Sequence, residues 1–313
     1  MAASPDSNPD PSATPVAEAP DAAPLIPTEP AVAGSLVPLR RPRRAHEPLE
    51  NPRESDVDEW GRSEHMRQLA HRVYNPVYKY WFRAEWEGLE KIPDDGGALL
   101  VANHAGAIPS DAPAIMHGIE TELDRPVYGL ADHLFRTLPV VGVLWARNGG
   151  VVAHPDNAYR LLREQNQLVL VFPEGTKGTG KTYSQRYRLH RFGRGGFVEI
   201  AMRAGVPVVP IAVVGAEESM PIIWKSNGLA KLTKLPYFPI TANQVALGPV
   251  LGSVGYFPAK FKLKVLDPVH FDVPPDQERY SKSRVMDESE HVRELIQSAL
   301  YEMLRERKSI WFG

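Results

Sequence analysis

The chain has 313 residues, is 43% hydrophobic and 24% charged, and carries a formal net charge of −2. These values fit a globular protein and give no overall attraction to nucleic acid, so any electrostatic partner must be met by a local patch. It contains no cysteine, which excludes disulfides, thiolate metal sites and a cysteine nucleophile and fits a reducing compartment.

The opening residues MAASPDSNPDPSATPVAEAP lack the basic and apolar regions of a signal peptide. No apolar run approaches the ~18–20 residues that span a bilayer. The expectation is a cytoplasmic protein, soluble or peripheral on a membrane. Residues 1–58 are rich in Pro, Ala, Asp and Ser, too poor in apolar surface to offset ordering entropy, and are expected to be disordered. A basic cluster, Arg40 to Arg44, lies within that tail.

A folded domain is expected over 59–313, with a central part at about 85–220 and a remainder at 221–313. Glu64–Tyr74 reads as a helix stopped before Pro76, followed by the aromatic and basic run VYKYWFRAEW, Val77 to Trp86. Five apolar runs of strand length come next: Ala98–Ala102, Val127–Ala131, Gly150–Val152, Leu168–Phe172 and Val206–Val214. Helical patterns at Pro113–Ile119, Asn157–Gln165 and Gly196–Ala204 alternate with them. Uninterrupted apolar strands that alternate with helices indicate an α/β/α sandwich with a largely parallel central sheet. Near the C-terminus, Val292, Leu295, Ile296, Ala299, Leu300, Met303 and Leu304 recur at helical spacing, and this core-facing stripe is expected to have an acidic start and a basic end.

The segment FPEGTKGTGKT, Phe172 to Thr182, satisfies the phosphate-loop spacing G-x-x-x-x-G-K-[ST]. That pattern also needs a packed helix after it and a second strand ending in a carboxylate for Mg²⁺. Here YSQRYRLHRFGRGG follows, and Val206–Val214 ends in Gly215-Ala-Glu-Glu. A nucleotide-binding protein therefore stays as an alternative. The strand Ala98–Ala102 offers a competing constellation, since it ends in Asn103-His104 with Asp111 shortly beyond. A histidine past the carboxyl end of a strand is placed for acid–base work. An aspartate reaching one imidazole nitrogen would fix the tautomer and leave the other to take a proton. Ser110 or Asp111 is expected to cap the following helix.

Asn103-His104…Asp111, Phe172-Pro-Glu-Gly-Thr176, Phe192-Gly-Arg194-Gly and Val206-Pro-Val-Val-Pro210 occur in that order. The series resembles the glycerolipid acyltransferases, the lysophosphatidic acid acyltransferase-like superfamily, over residues 85–220. The resemblance implies an enzyme on the inner face of the cell membrane that moves an acyl chain from acyl-coenzyme A, or acyl carrier protein, to a hydroxyl of a lysophospholipid or related glycerolipid. It implies no bound cofactor or metal, with the lipid acceptor and the membrane surface as partners. By motif match the general base falls on His104, its orienting acid on Asp111, and acceptor binding on Glu174, Gly175 and Thr176; Asn103 beside the base, Lys177 of the basic loop and Arg194 of the Phe192-Gly-Arg194 block are the further substrate-binding candidates. A non-catalytic lipid-binding protein on the same fold is the second alternative.

Two departures bear on the acceptor. The histidine and aspartate are separated by six residues where the family's commonest spacing is four, and the longer spacing looks similar to the mono- and diacylglycerol acyltransferase-like branch. After Gly150–Val152 comes AHPDNA, without the family's frequent Asp-Arg pair, so acylation of a neutral mono- or diacylglycerol is the alternative acceptor reading. A basic loop stands against it: Gly175 to Val198 holds Lys177, Lys181, Arg186, Arg188, Arg191 and Arg194 and no acid. Lastly, Ser219 to Leu266 contains six lysines, no acid, and the aromatics Trp224, Tyr237, Phe238, Tyr256, Phe257 and Phe261. That composition suits a membrane interface.

Overall fold

The computed structural model describes residues 55–133, 140–233, 237–277 and 279–313. Apart from residues 55–58, the expected tail lies outside them. Nine strands are described: β1 (Glu85–Glu87), β2 (Ala98–Ala102), β3 (Val127–Ala131), β4 (Gly150–Val152), β5 (Leu168–Val171), β6 (Val208–Val214), β7 (Ile222–Lys225), β8 (Pro239–Thr241) and β9 (Lys262–Val265). Seven form one sheet in the order β1-β9-β6-β2-β5-β3-β4, parallel at every pairing except β6 with β9. β7 and β8 form a separate antiparallel pair.

The central strands are apolar throughout because helices cover both faces. Leu99 and Val101 of β2, with Val208, Ala212 and Val214 of β6, enter one core beneath helices Gly196–Ala204 and Lys282–Glu306. Ala98, Leu100 and Ala102, with Val209, Ile211 and Val213, enter the other beneath helix Asp111–Leu123. Alternate residues thus feed opposite cores. The expected α/β/α sandwich is the observed fold.

Several boundaries differ for local reasons. The first helix runs through Pro76, and a wide π turn at Val77–Trp81 follows, with Phe82 N–H donating to Val77 O at 2.8 Å. The proline's missing donor falls where the helix is already loosening. Another π turn, Arg160–Glu164, continues the short helix Pro155–Tyr159. The helix expected at Pro113–Ile119 extends over Asp111–Leu123. β5 ends at Val171 and β6 starts only after Pro207. In the last helix Val292, Ile296, Ala299, Leu300 and Met303 are buried as the stripe requires. Its start is not acidic, because the helix begins at Lys282 and its first turn carries no acid; Arg305 does occupy the last turn.

Topology places a crevice at the carboxyl ends of β2 and β5, which are neighbours. The helix after β2 packs on one face of the sheet and helix Gly196–Ala204, which follows β5, on the other. Loops leaving adjacent strands in opposite directions open a gap between them, the usual ligand position in such sheets. Among the described residues no helix is long and apolar enough to cross a membrane.

Candidate active site

The two loops that bound this crevice carry the residues singled out above. His104 follows β2, and its ring stacks on Phe172, which follows β5, with centroids 4.0 Å apart and planes 20° from parallel. Its Nδ1 lies 3.0 Å from Asp111 Oδ2. Asp111 is fully buried and opens helix Asp111–Leu123. Its Oδ2 also accepts from Ala105 N–H at 2.8 Å, and its Oδ1 from Ala112 N–H at 2.7 Å. Held by these backbone donors, the carboxylate fixes Nδ1 as the protonated nitrogen and leaves the Nε2 lone pair free. The His104 side chain is 14% exposed, so most of the ring is packed while part of it meets solvent.

The six intervening residues do not disturb this pair. Gly106 adopts a φ of +85°, a left-handed turn suited to glycine, and the loop bulges outward to leave Ile108 exposed. Ser110 makes no capping bond; its hydroxyl meets Ser219 Oγ at 2.9 Å. The first helical turn takes its side-chain acceptor from Asp111 instead.

Two residues expected to touch substrate have other tasks. Asn103 is fully buried, and its amide is spent on the backbone of β6: Nδ2 donates to Val213 O at 3.0 Å and Oδ1 accepts from Val213 N–H at 2.8 Å. It extends the β2–β6 ladder by one side-chain rung and anchors the residue that precedes the histidine. Glu174 is buried too. Its Oε2 accepts from His104 N–H at 3.3 Å and its Oε1 from His190 N–H at 2.8 Å. It ties together three loops from beneath.

Lys181 is the counter-ion of that carboxylate, and this removes the nucleotide reading. Its Nζ is 3.3 Å from Glu174 Oε2 and 3.1 Å from Glu217 Oε1, and the lysine side chain is 2% exposed. A lysine held between two buried carboxylates is not available to a triphosphate. The helix after Gly175 is only four residues long, Thr176–Thr179. Gly178 lets that turn lie on the histidine: a Cβ there would sit 2.9 Å from the Cβ atoms of both His104 and Glu174.

The polar chain runs further. Glu217 Oε1 also accepts from Tyr187 N–H at 3.0 Å, and the Tyr187 hydroxyl donates to Glu218. Glu218 pairs with Arg307 beyond the last helix at 2.8 Å. Burial pushes the Glu217 carboxyl up to about 7, against the pull of Lys181. Burial, with Glu218 and Glu217 alongside, raises the Tyr187 hydroxyl as well. Sequence reasoning missed this network. Its one visible signal was the pair Glu217-Glu218 directly after an apolar strand, where acids without partners would be costly.

The remaining predicted residues lie at the surface. Gly175, Thr176, Lys177 and Arg194 are exposed, and among the described residues Lys177 and Arg194 make no ion pair. Arg194 stands just before helix Gly196–Ala204, and no described contact joins it to His104. Along the same edge, the ends of β3 and β4 border a cavity of about 500 Å³ lined by Trp60, Asp132, Trp145, Val152 and His154 among others.

A half-buried His–Asp pair thus stands at the mouth of a largely parallel sheet, braced by a Pro-Glu-Gly-Thr turn. The chain belongs to the glycerolipid acyltransferase superfamily. Residues 83–214 match the family described as Acyltransferase. The chain is 39% identical over 262 residues to an uncharacterised protein of Mycobacterium tuberculosis H37Rv, covering 82% of this chain and 72% of that one. It is 25% identical over 236 residues to the DGAT1/2-independent enzyme synthesizing storage lipids of Bos taurus, covering 74% and 67%. Among solved structures, the 1-acyl-sn-glycerophosphate acyltransferase PlsC of Thermotoga maritima superposes with a TM-score of 0.50 at 23% identity, over 77% of this chain and 80% of that one. That likeness is one of fold.

Proposed function

We propose that this acyltransferase moves a fatty acyl chain from acyl-coenzyme A to a hydroxyl of a lysophospholipid or related glycerolipid, with His104 as general base. The observation that carries the reading is the His104–Asp111 pair with Nε2 free at the crevice. In the reaction, Nε2 takes the acceptor's hydroxyl proton as the oxygen attacks the thioester carbonyl. The tetrahedral intermediate collapses, the C–S bond breaks, and the imidazolium returns the proton to the departing thiolate. A thioester is already activated, so a positioned base suffices; such a base contributes ~10²–10⁴-fold. Asp111 holds the tautomer and stabilises the imidazolium. Asn103 and Glu174 act by positioning His104, while Lys177 and Arg194 supply exposed cations for a phosphate of donor or acceptor.

One observation favours the neutral acceptor as a second reading. Among the described residues, the cavity beside β3 and β4 includes Glu59, Asp132 and His154 in its lining and neither lysine nor arginine, a surface better matched to uncharged hydroxyls than to a phosphate. The name of the Bos taurus relative, an enzyme of storage lipids, points the same way.

The test is thiol release by the purified chain across a panel of lysophospholipids, monoacylglycerols and diacylglycerols, with products identified by mass spectrometry. His104→Ala is expected to lower turnover by ~10²–10⁴-fold with an unchanged melting temperature. Turnover retained in His104→Ala would remove the assignment. Vesicle binding without turnover in the wild type would leave a non-catalytic lipid-binding protein.

A further inference from the structure

The region after β6 ends in a helical hairpin that the catalytic arrangement does not use. Helices Ala242–Leu247 and Leu251–Val254 fold back on each other across Gly248 and Pro249. Gly252 sits at their crossing, where a Cβ would lie 2.2–2.3 Å from backbone atoms of Asn243 and Gln244; no other residue fits there. The first helix starts in a reciprocal capping box between Thr241 and Gln244. Gln244 Nε2 donates to Ser253 Oγ at 2.9 Å, and Ser253 Oγ donates to Pro249 O at 2.6 Å. Ser253, the one polar side chain of the tip, is therefore bonded internally, whereas Asn243 Oδ1 is buried without a partner among the described residues.

What faces outward is apolar. Val245, Leu247, Val250, Leu251 and Val254 are between 46% and 78% exposed, and the tip VALGPVLGSV carries no charge. A small contiguous projection with five large aliphatic groups in water marks an interaction surface. The segment that holds the hairpin carries charge of one sign: Ser219 to Leu266 contains no acid. Lys260 and Lys264 are paired with Glu85 and Glu87, whereas Lys225 and Lys231 make no ion pair among the described residues. Trp224, 60% exposed, accompanies them on the neighbouring strand.

We infer that the 242–254 hairpin is a wedge that inserts into a lipid bilayer, with Lys225 and Lys231 meeting anionic headgroups. Unpaired cations on the strand and helix that precede an apolar tip fit that occupant. The inference rests on the acyl-transfer reading only for preferring a lipid surface to a protein one. The wedge is linked to the site: Asn243 Nδ2 donates to Ser219 O at 3.0 Å, and Ser219 meets Ser110, the residue before Asp111. Tyr237, just before β8, donates to Thr179 at 2.6 Å. Insertion would thus set the crevice at the depth where a lipid hydroxyl is found.

The absence of native cysteine makes the test direct. Leu251→Cys in the full chain takes one environment-sensitive dye. Its emission is expected to shift to the blue with phosphatidylcholine vesicles containing phosphatidylglycerol, and less with phosphatidylcholine alone. The double variant V250D/L251D is expected to lose flotation with those vesicles about tenfold or more, while turnover of a water-soluble short-chain acceptor stays at the wild-type level. A dye that remains in a water-like environment, or a double variant that floats like the wild type, overturns the wedge. So does a wild type that is dimeric in solution and becomes monomeric in V250D/L251D, since the tip would then cover a second copy. If His104→Ala retained turnover but the dye still shifted, the surface would stand and the catalytic reading would fall.

Discussion

Glu217 offers a quantitative check on the buried network, through the substitution Glu217→Gln. On folding its carboxyl rises from an ordinary 4.5 to about 7, chiefly because it is buried. Native protein thus holds a proton between those values that the unfolded chain releases. The carboxyl's stabilising contribution is complete below pH 4.5, falls as pH rises, and is gone above about pH 7. Integrated over that window the loss is ~3 kcal/mol, or about 6–12 °C in melting temperature for a domain of this size. His117 opposes it. Burial, then the charge of Arg67, lowers its imidazole to about 4, so its contribution grows as pH rises from 4 to 6.5. The raw wild-type profile can therefore be nearly flat, and the informative quantity is the difference between two profiles. Glutamine keeps the acceptor for Tyr187 N–H and cannot ionise. Thermal melts of both proteins from pH 4.5 to 8 should show the variant gaining ~3 kcal/mol relative to the wild type as pH rises. A difference that stays constant across the range would refute the burial of an ionisable Glu217.

Two further substitutions probe the support of the histidine. Lys181→Met leaves Glu174 and Glu217 without their shared cation and should cost ~3–5 kcal/mol in urea unfolding at pH 8; adding Glu217→Gln should restore part of it, and a loss below ~1 kcal/mol would show that the pair is not closed to water. Gly178→Ala drives a methyl against His104 and Glu174 and should lower kcat about 10²-fold by displacing the base, at ~1–3 kcal/mol in stability; unchanged kcat in steady-state thiol release would show that the turn can yield without moving the ring.

His104 and Asp111 were legible because each sits at an element boundary that the apolar pattern marks, one past a strand and one at a helix start. The doubly covered sheet was legible for the same reason, since a run such as Val208–Val214 has no polar residue to turn toward water. Glu174, Asn103 and Lys181 were misread because a sequence displays charge and polarity but not what they face. Each looked like a group reaching for substrate, yet its partner is supplied by a later segment: Val213 for Asn103, Glu217 for Lys181. β9 was overlooked in a different way. Its Lys-Leu-Lys-Val alternation was present, but the lysines were counted toward a membrane face. In the fold Leu263 and Val265 enter the core, while Lys264 pairs with Glu87 and Glu302. Phe261 likewise stacks on Phe82 inside the protein, with centroids 4.2 Å apart.

The bond from Glu218 to Arg307 joins residues 89 positions apart in the chain, and this gives the active site a place in time. During synthesis Glu217 and Glu218 emerge long before the arginine that completes their network. Until it arrives, sealing those carboxylates away from water leaves one without its counter-ion, a penalty of several kcal/mol. Closing the network and covering one face of the sheet thus both wait for the last helix to dock.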